Sequence, residues 1–226
     1  RILLGKTVPS VQPVYWEFNH PELANRHMLI FGSSGQGKTY AIQAMLCEMS
    51  KFRQNSLIID YTNGFLPNHL EKIANEVLSP KQHVVRQEPL PINPFLPQES
   101  DNGGIVIKEN SNAIAKRIAG LFDSVYNIGD QQYSVLHRAI MDSVETMKSG
   151  MNLDHMLEII ESMTGEKQYK ASAQSLYNKL RPFVLEQPFS SGEIGFDWDH
   201  LFLDQDPLCN IFQLAGMDMY SGRLIT

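Results

Sequence analysis

The chain is poor in the residues that mark disulfide scaffolds, metal modules and membrane proteins. It holds two cysteines in 226 residues, Cys47 and Cys209, which lie far apart and match no metal-ligand spacing. No run of 18 apolar residues occurs, and the first residues have no signal-peptide pattern. We therefore expect a cytoplasmic protein with no membrane partner.

An excess of positive charge is also absent. The chain carries 19 lysines and arginines against 25 aspartates and glutamates, a formal net charge of −6. A nucleic-acid partner would therefore be bound by local basic patches or by an assembled ring, and not through the net charge of the chain. With 42% hydrophobic and 19% charged residues, the composition is that of a globular protein. Its length allows one substantial core, or a core with one inserted subdomain.

The most informative segment is the glycine-rich run at residues 32–39, which reads Gly-Ser-Ser-Gly-Gln-Gly-Lys-Thr. It follows a short apolar run, 27–31, and precedes a helical pattern of apolar residues. This order of strand, G-x-x-x-x-G-K-T loop and helix is that of a phosphate-binding P-loop. Gly32, Gly35 and Gly37 would let the backbone N–H groups turn toward phosphate oxygens, beside the positive end of the helix dipole.

The loop predicts a nucleoside triphosphate ligand, ATP, with Mg²⁺. Lys38 would reach the β- and γ-phosphates, and the Thr39 hydroxyl would hold Mg²⁺. These two residues are the predicted catalytic pair. The predicted nucleotide contacts are the whole loop and the residue after it: Gly32, Ser33, Ser34, Gly35, Gln36, Gly37, Lys38, Thr39 and Tyr40.

The first part of the chain alternates strand and helix patterns. Apolar runs predict strands at 27–31, 56–60 and 83–86, and helical spacing predicts a helix after the loop and another around 70–77. A proline-punctuated connector then spans 89–97. Such βα units predict an α/β sheet.

The later part is helical before it returns to a strand. Four successive helical patterns lie between about 108 and 182, where Pro182 is expected to end the last helix, and strand character returns at 209–214. The predicted division is 1–105 for the first part of the nucleotide-binding core, 106–190 for an all-α insertion, and 191–226 for the return to the core sheet.

Several ordered motifs resemble those of the HerA/FtsK superfamily of P-loop ATPases. That resemblance implies a RecA-like (additional-strand) P-loop NTPase sheet with a large all-α insertion. It also implies ATP hydrolysis by a homo-oligomeric ring that acts on DNA. The matching segments are 25–39, Leu57–Gly64, the Asn93-Pro94-Phe95 triplet, 128–132 and 211–216.

Within the superfamily, the motif sequences most resemble those of the DptH ATPases of DNA-phosphorothioation-dependent restriction systems. The segments that carry this likeness are 14–18, 34–40, 60–65 and 180–183. The resemblance implies a bacterial defence role on DNA that lacks phosphorothioate marks, together with other proteins of the restriction system.

One departure from the superfamily pattern concerns hydrolysis. A Walker B strand, four apolar residues followed by Asp-Glu, does not occur in the sequence. Asp60 ends an apolar strand but is followed by Tyr61. Asp60 could hold Mg²⁺ or relay water, or it could bond to its own turn before Gly64. The resemblance places Walker B after Thr226, so we expect the 226-residue chain alone to hydrolyse ATP poorly.

Two functional classes stay open at this point. One is an ATP-driven DNA motor, and the other is a nucleotide-switched assembly module that recruits partner proteins.

Lesser candidates have structural interpretations beside functional ones. They are Tyr15 and Trp16 for adenine stacking, Gln131 and Gln132 at a helix start, Arg117 and Arg181 as arginine fingers, and the basic-aromatic group Lys167, Tyr169, Lys170, Tyr177 and Lys179 for DNA.

Overall fold

The computed structural model describes residues 1–18, 20–147, 150–190 and 209–226. Residues 191–208 of the predicted return segment 191–226 lie outside the described residues. The described strands and helices, in chain order, are β1 Ile2–Lys6, β2 Pro13–Trp16, α1 Lys38–Ser50, β3 Ser56–Asp60, α2 Lys72–Leu78, β4 Lys81–Val84, β5 Glu99–Asp101, β6 Val106–Lys108, α3 Ser111–Tyr126, α4 Asp130–Met147, α5 Leu153–Met163, α6 Lys170–Leu185, β7 Cys209–Gln213 and α7 Met219–Ile225.

A three-stranded sheet of order β3-β7-β4 forms the centre of the first compact unit, which comprises Arg1–His83 and β7. β3 and β7 run parallel, from the pair Ser56 and Cys209 to the pair Asp60 and Gln213. All five residues of β7 are buried, as expected of a central strand with neighbours on both sides. The carboxyl ends of β3 and β7 therefore share one edge of the sheet.

Apolar side chains from α1, α2 and the sheet close the core of this unit. The buried members are Phe65, Ala74, Leu78, Cys209 and Ile211, with Ile42, Leu46 and Cys47 packed against them. Burial raises the pKa of the Cys47 and Cys209 thiols. Both thiols are therefore held in the neutral form and pack as small apolar groups.

Helices α3 to α6 build the second compact unit, which starts at Val84 and also includes Gly216–Thr226. Each helix buries one apolar stripe, as the helical spacing in the sequence predicts. Fully enclosed side chains include Ile114, Leu136, Ile140, Met156, Ile160, Leu176, Leu180 and Phe183. The α/β fold class with a large helical part is confirmed, while the three-part domain division stays a prediction.

The strand predicted at 27–31 is wrong. These residues form no strand, and Leu29 and Phe31 are 78% and 83% exposed. A strand exists only where its backbone groups pair with a neighbour. In the part of the chain that the structure describes, no strand pairs with this segment.

Other boundaries differ in smaller ways. α6 continues through Pro182 to Leu185, because Phe183 and Val184 are buried and their packing supports the last turn. β4 begins two residues earlier than the predicted strand 83–86. Two antiparallel hairpins, β1–β2 and β5–β6, lack the long alternating pattern that predicts strands.

An ion pair anchors the start of the helical unit. The Arg117 guanidinium donates two short hydrogen bonds to the Glu109 carboxylate, Nε to Oε1 at 2.9 Å and Nη2 to Oε2 at 2.8 Å. It also donates to the backbone carbonyls of Pro94 and Leu96, at 3.0 and 3.2 Å. Arg117 thus ties α3 to the proline-rich connector. Its hydrogen bonds to the Glu109 carboxylate hold the pKa of Glu109 below the ordinary value.

We predict that Glu109→Gln lowers the free energy of unfolding by about 1.5–3 kcal/mol at neutral pH, the value of hydrogen bonds to a charged group. Because the pKa of Glu109 is lower in the folded state, its contribution is complete above the ordinary glutamate pKa of about 4.3. The contribution is lost as the pH falls through the folded-state pKa. Denaturant titrations between pH 7 and pH 3 measure this effect.

Glu99→Gln is the matched control, because Glu99 pairs with Lys108 at 3.0 Å on the surface, with both side chains more than half exposed. Its effect should stay below about 1 kcal/mol. Equal losses in the two variants, or a Glu109→Gln loss that does not shrink between pH 7 and pH 3, would contradict the assignment.

Candidate nucleotide-binding site

The glycine-rich loop takes the left-handed backbone conformation at two of its three predicted glycines. Gly35 and Gly37 have φ of 77° and 81°, a region that side chains with a Cβ rarely enter. Gly32 lies outside that region, and a Cβ there would approach Lys38 Cγ at 3.5 Å, an ordinary contact. The backbone requirement for glycine therefore falls on Gly35 and Gly37.

The loop leads directly into α1, with Gly37 as its N-terminal cap. The first intrahelical hydrogen bond runs from the Ala41 N–H to the Gly37 carbonyl, at 2.9 Å. The N–H groups before Ala41 point out of the helix end, where an anion can accept them. The loop is exposed along 32–37, so the cradle is open to solvent.

The Lys38 side chain folds back over this loop. Its Nζ donates to the carbonyl oxygens of Gly32 and Ser33, at 2.7 and 2.8 Å. An ammonium group has three donors, so one remains for a phosphate oxygen. The geometry thus places a positive charge at the loop and beside the positive end of the α1 dipole.

Thr39 lies against the turn that follows β3. A Cβ built on Gly64 would stand 3.2 Å from Thr39 Cγ2 and 3.4 Å from Thr39 Oγ1. The distance to Cγ2 is tighter than an ordinary contact, so a side chain at position 64 would require Thr39 to shift by a few tenths of an ångström. The turn after β3 and the first turn of α1 therefore meet at the Thr39 side chain.

Asp60 organises that turn. Its side chain is buried, and its carboxylate accepts the N–H groups of Thr62 and Gly64 at Oδ1, both at 3.1 Å, and of Phe65 at Oδ2, at 2.8 Å. Of the two interpretations of Asp60, the structure shows the bonding to its own turn. Its role in holding Mg²⁺ stays a prediction.

Tyr40 is 63% exposed in the first turn of α1. It stands at one end of a groove of about 540 Å³ between α1 and α2, with Gln43, Cys47 and Val77 also in the lining. Gln43 is buried at the groove floor, where it bonds to the His69 carbonyl and the Glu71 N–H.

The aromatic candidates Tyr15 and Trp16 lie in β2. The Arg1 guanidinium carbon lies 4.3 Å from the centre of the Tyr15 ring, a cation–π contact. Trp16 packs against Phe18, with ring centres 6.0 Å apart. Their use for adenine stacking stays a prediction.

Several polar candidates of the helical unit serve its internal bonding. Gln131 accepts from Ser172 at 3.1 Å, and Gln132 donates to Ser175 at 2.8 Å, so both glutamines tie α4 to α6. Tyr169 accepts from Arg138 at 3.0 Å. The donors of Arg117 bind Glu109 and backbone carbonyls, which leaves this candidate finger committed inside its own unit.

Within the described ranges, no cluster of three or more His, Cys, Asp or Glu side chains has the arrangement of a metal site. None of the described helices has both the length and the apolar character needed to span a membrane.

We predict that Gly64→Ala weakens binding of ATP in the presence of Mg²⁺ by about fivefold or more, since the added methyl crowds Thr39 Cγ2 and so shifts the side chain that carries the hydroxyl. Binding in EDTA should change little. Gly120→Ala is the control, because its Cβ meets no atom within 4 Å and lies inside α3. Titration of a fluorescent ATP analogue measures both, and equal affinities for the two variants with Mg²⁺ would refute the contact.

Comparisons with known proteins bear on this geometry. The structure is similar to VirB4 of Thermoanaerobacter pseudethanolicus, with a TM-score of 0.66 and 14% sequence identity over 99% of this chain. The chain spans 60% of the length of that VirB4 structure. No curated protein matches the sequence. The likeness to VirB4 confirms the α/β fold predicted for a P-loop NTPase core.

The family comparison covers almost the whole chain. None of the comparisons supports the narrower resemblance to DptH ATPases, which stays a prediction. The wider HerA/FtsK-type resemblance is confirmed, because the family model described as "Helicase HerA, central domain" matches residues 3–226. The chain therefore belongs to the family of the HerA helicase central domain, a family of P-loop ATPases.

Proposed function

We propose that the chain is the ATP-binding core of a DNA-directed motor ATPase. The observation that carries this proposal is the meeting of three elements at one point: the loop at 32–37, the free N–H groups at the start of α1, and the turn after β3 that packs on Thr39. Together they form an anion cradle with a hydroxyl beside it, at the carboxyl edge of a parallel sheet, where α/β proteins bind nucleotides.

Each residue of the cradle has a defined task in this proposal. The free backbone N–H groups of the loop and of the start of α1 bind phosphate oxygens, and Lys38 donates its remaining N–H to the β- or γ-phosphate. Thr39 offers its hydroxyl as a Mg²⁺ ligand. When bound, Mg²⁺ neutralises charge that develops on the transferred phosphoryl group. Tyr40, exposed next to Thr39, contacts the rest of the nucleotide in this proposal.

Asp60 acts in this scheme by holding the turn against Thr39. Its two oxygens accept three backbone N–H groups, and only 3% of the residue is exposed. A direct bond to Mg²⁺ would compete with those hydrogen bonds. We therefore place Asp60 behind the site, and we expect the hydrolytic acid to come from a separate segment or a neighbouring subunit.

DNA, other proteins of a restriction system and a homo-oligomeric ring are the proposed partners. Membership in a family described by a helicase supports the DNA partner. Because the net charge is −6, DNA would be contacted by local basic groups gathered in a ring. The role in defence against unmodified DNA rests on the sequence resemblance to DptH ATPases alone.

A second candidate function is favoured by the negative net charge and by the hydrogen bonds that Arg117 and Lys179 make inside the helical unit. Lys179 Nζ lies 3.5 Å from Gln132 Oε1, so this lysine is engaged between helices. In that alternative, ATP orders an assembly surface for partner proteins and no translocation follows. Nucleotide-dependent partner capture without stimulation by DNA would favour it.

We predict that Lys38→Ala lowers the affinity for ATP·Mg²⁺ by about tenfold to a hundredfold, because charge-assisted hydrogen bonds of about 1.5–3 kcal/mol are lost. Lys116→Ala, an exposed lysine of α3, is the matched control and should bind as the parent does. Isothermal titration measures the affinities. Unchanged binding by Lys38→Ala would refute the nucleotide site.

The motor proposal is tested by ATP turnover of the intact protein with and without duplex DNA. We expect turnover to rise with DNA and the stimulation to fall as salt increases, because phosphate contacts release counterions. Lys38→Ala should abolish both basal and stimulated turnover. Turnover that is indifferent to DNA at low salt would count against the motor.

A further inference from the structure

Two glutamines stand among the strands of the central sheet, Gln82 in β4 and Gln213 at the end of β7. Gln213 is buried and Gln82 is half-buried. A polar amide in such a place costs free energy unless it is hydrogen-bonded. The Gln213 amide donates to Gln82 Oε1 at 2.9 Å, and the Gln82 amide donates to the Phe65 carbonyl at 3.0 Å.

This pair of bonds ends on the turn that contacts Thr39. Phe65 is held on both sides, because its N–H donates to the Asp60 carboxylate and its carbonyl accepts from Gln82. The preceding residue, Gly64, is the one where an added Cβ would stand 3.2 Å from Thr39 Cγ2. A continuous path of contacts thus leads from Gln213 through Gln82 and the turn to the Thr39 hydroxyl.

Gln213 gives little stability in return for its burial. Its carbonyl oxygen, Oε1, is buried and finds no hydrogen-bond partner among the described residues. An unpaired buried acceptor is destabilising, so an apolar side chain of similar size would suit the position at least as well for packing. What Gln213 supplies is an orientation for the Gln82 amide, at the strand end that pairs with Asp60.

We propose that Gln82 and Gln213 are positioning residues that set the affinity of the site for Mg²⁺. They hold the Phe65 carbonyl of the turn, while Asp60 holds its N–H groups. The turn, in turn, holds the Thr39 side chain. This inference rests on the proposed nucleotide site. It differs from a purely structural role because it links two interior glutamines to the metal dependence of nucleotide binding.

The test uses Gln82→Met and Gln213→Met, which replace the amides with apolar side chains of similar length. Binding of a fluorescent ATP analogue is measured in EDTA and across a Mg²⁺ titration, beside the denaturant midpoint of each variant. We expect the Mg²⁺ concentration at half-saturation to rise about fivefold or more, the effect of one lost hydrogen bond. Affinity in EDTA should stay within about twofold of the parent, since the phosphate cradle is unaltered.

Gln132→Met is the matched control, because Gln132 also makes side-chain bonds between elements but lies in the helical unit. It should leave the Mg²⁺ requirement unchanged. If Gln82→Met does not fold, Gln213→Met decides. That change removes one unpaired buried acceptor, Gln213 Oε1, and leaves one half-buried acceptor, Gln82 Oε1, so the unfolding midpoint should shift only slightly.

The two proposals fail in different ways. An unchanged Mg²⁺ requirement in the glutamine variants, with binding lost in Lys38→Ala, overturns the positioning role and leaves the nucleotide site intact. A loss of affinity that is the same in EDTA and in Mg²⁺ also overturns the positioning role, because the effect would then be a general loss of structure. Normal binding by Lys38→Ala instead refutes the nucleotide site itself.

Discussion

The site depends on the three hydrogen bonds that the Asp60 carboxylate accepts from its own turn. They hold the turn in one shape at the end of β3, and this shape brings Gly64 within contact of Thr39. Without that contact, only the apolar packing of α1 would hold the Thr39 hydroxyl relative to the sheet. The phosphate cradle and the sheet thus become one site through a single buried acid.

Local signals in the sequence account for the parts of the fold that were predicted well. β3 was predicted with its observed ends, and the helical stripes of α3 to α6 with their buried faces, because periodicity within one segment reports burial directly. The left-handed glycines Gly35 and Gly37 follow from the loop motif. Asp60 was open to two interpretations, because its neighbours in sequence could not show where the carboxylate bonds.

Features that depend on distant residues could not be predicted. The strand at 27–31 is absent because an apolar run forms a strand only beside a partner, which sequence spacing does not reveal. Gln82 and Gln213 are 131 residues apart, and their bond follows only from the pairing of β4 with β7. The sequence predicts Arg117 as a residue on the polar side of a helix, yet its guanidinium donates hydrogen bonds to the backbone carbonyls of Pro94 and Leu96.

Hydrogen exchange with and without ATP·Mg²⁺ tests the central claim most directly. The account predicts that saturating nucleotide slows exchange of the backbone amides in two segments, the exposed loop at 32–39 and the turn at 60–65. The two segments should respond together, because the turn packs on Thr39. No protection of the loop at saturating ATP·Mg²⁺, or protection confined to other parts of the chain, would contradict it.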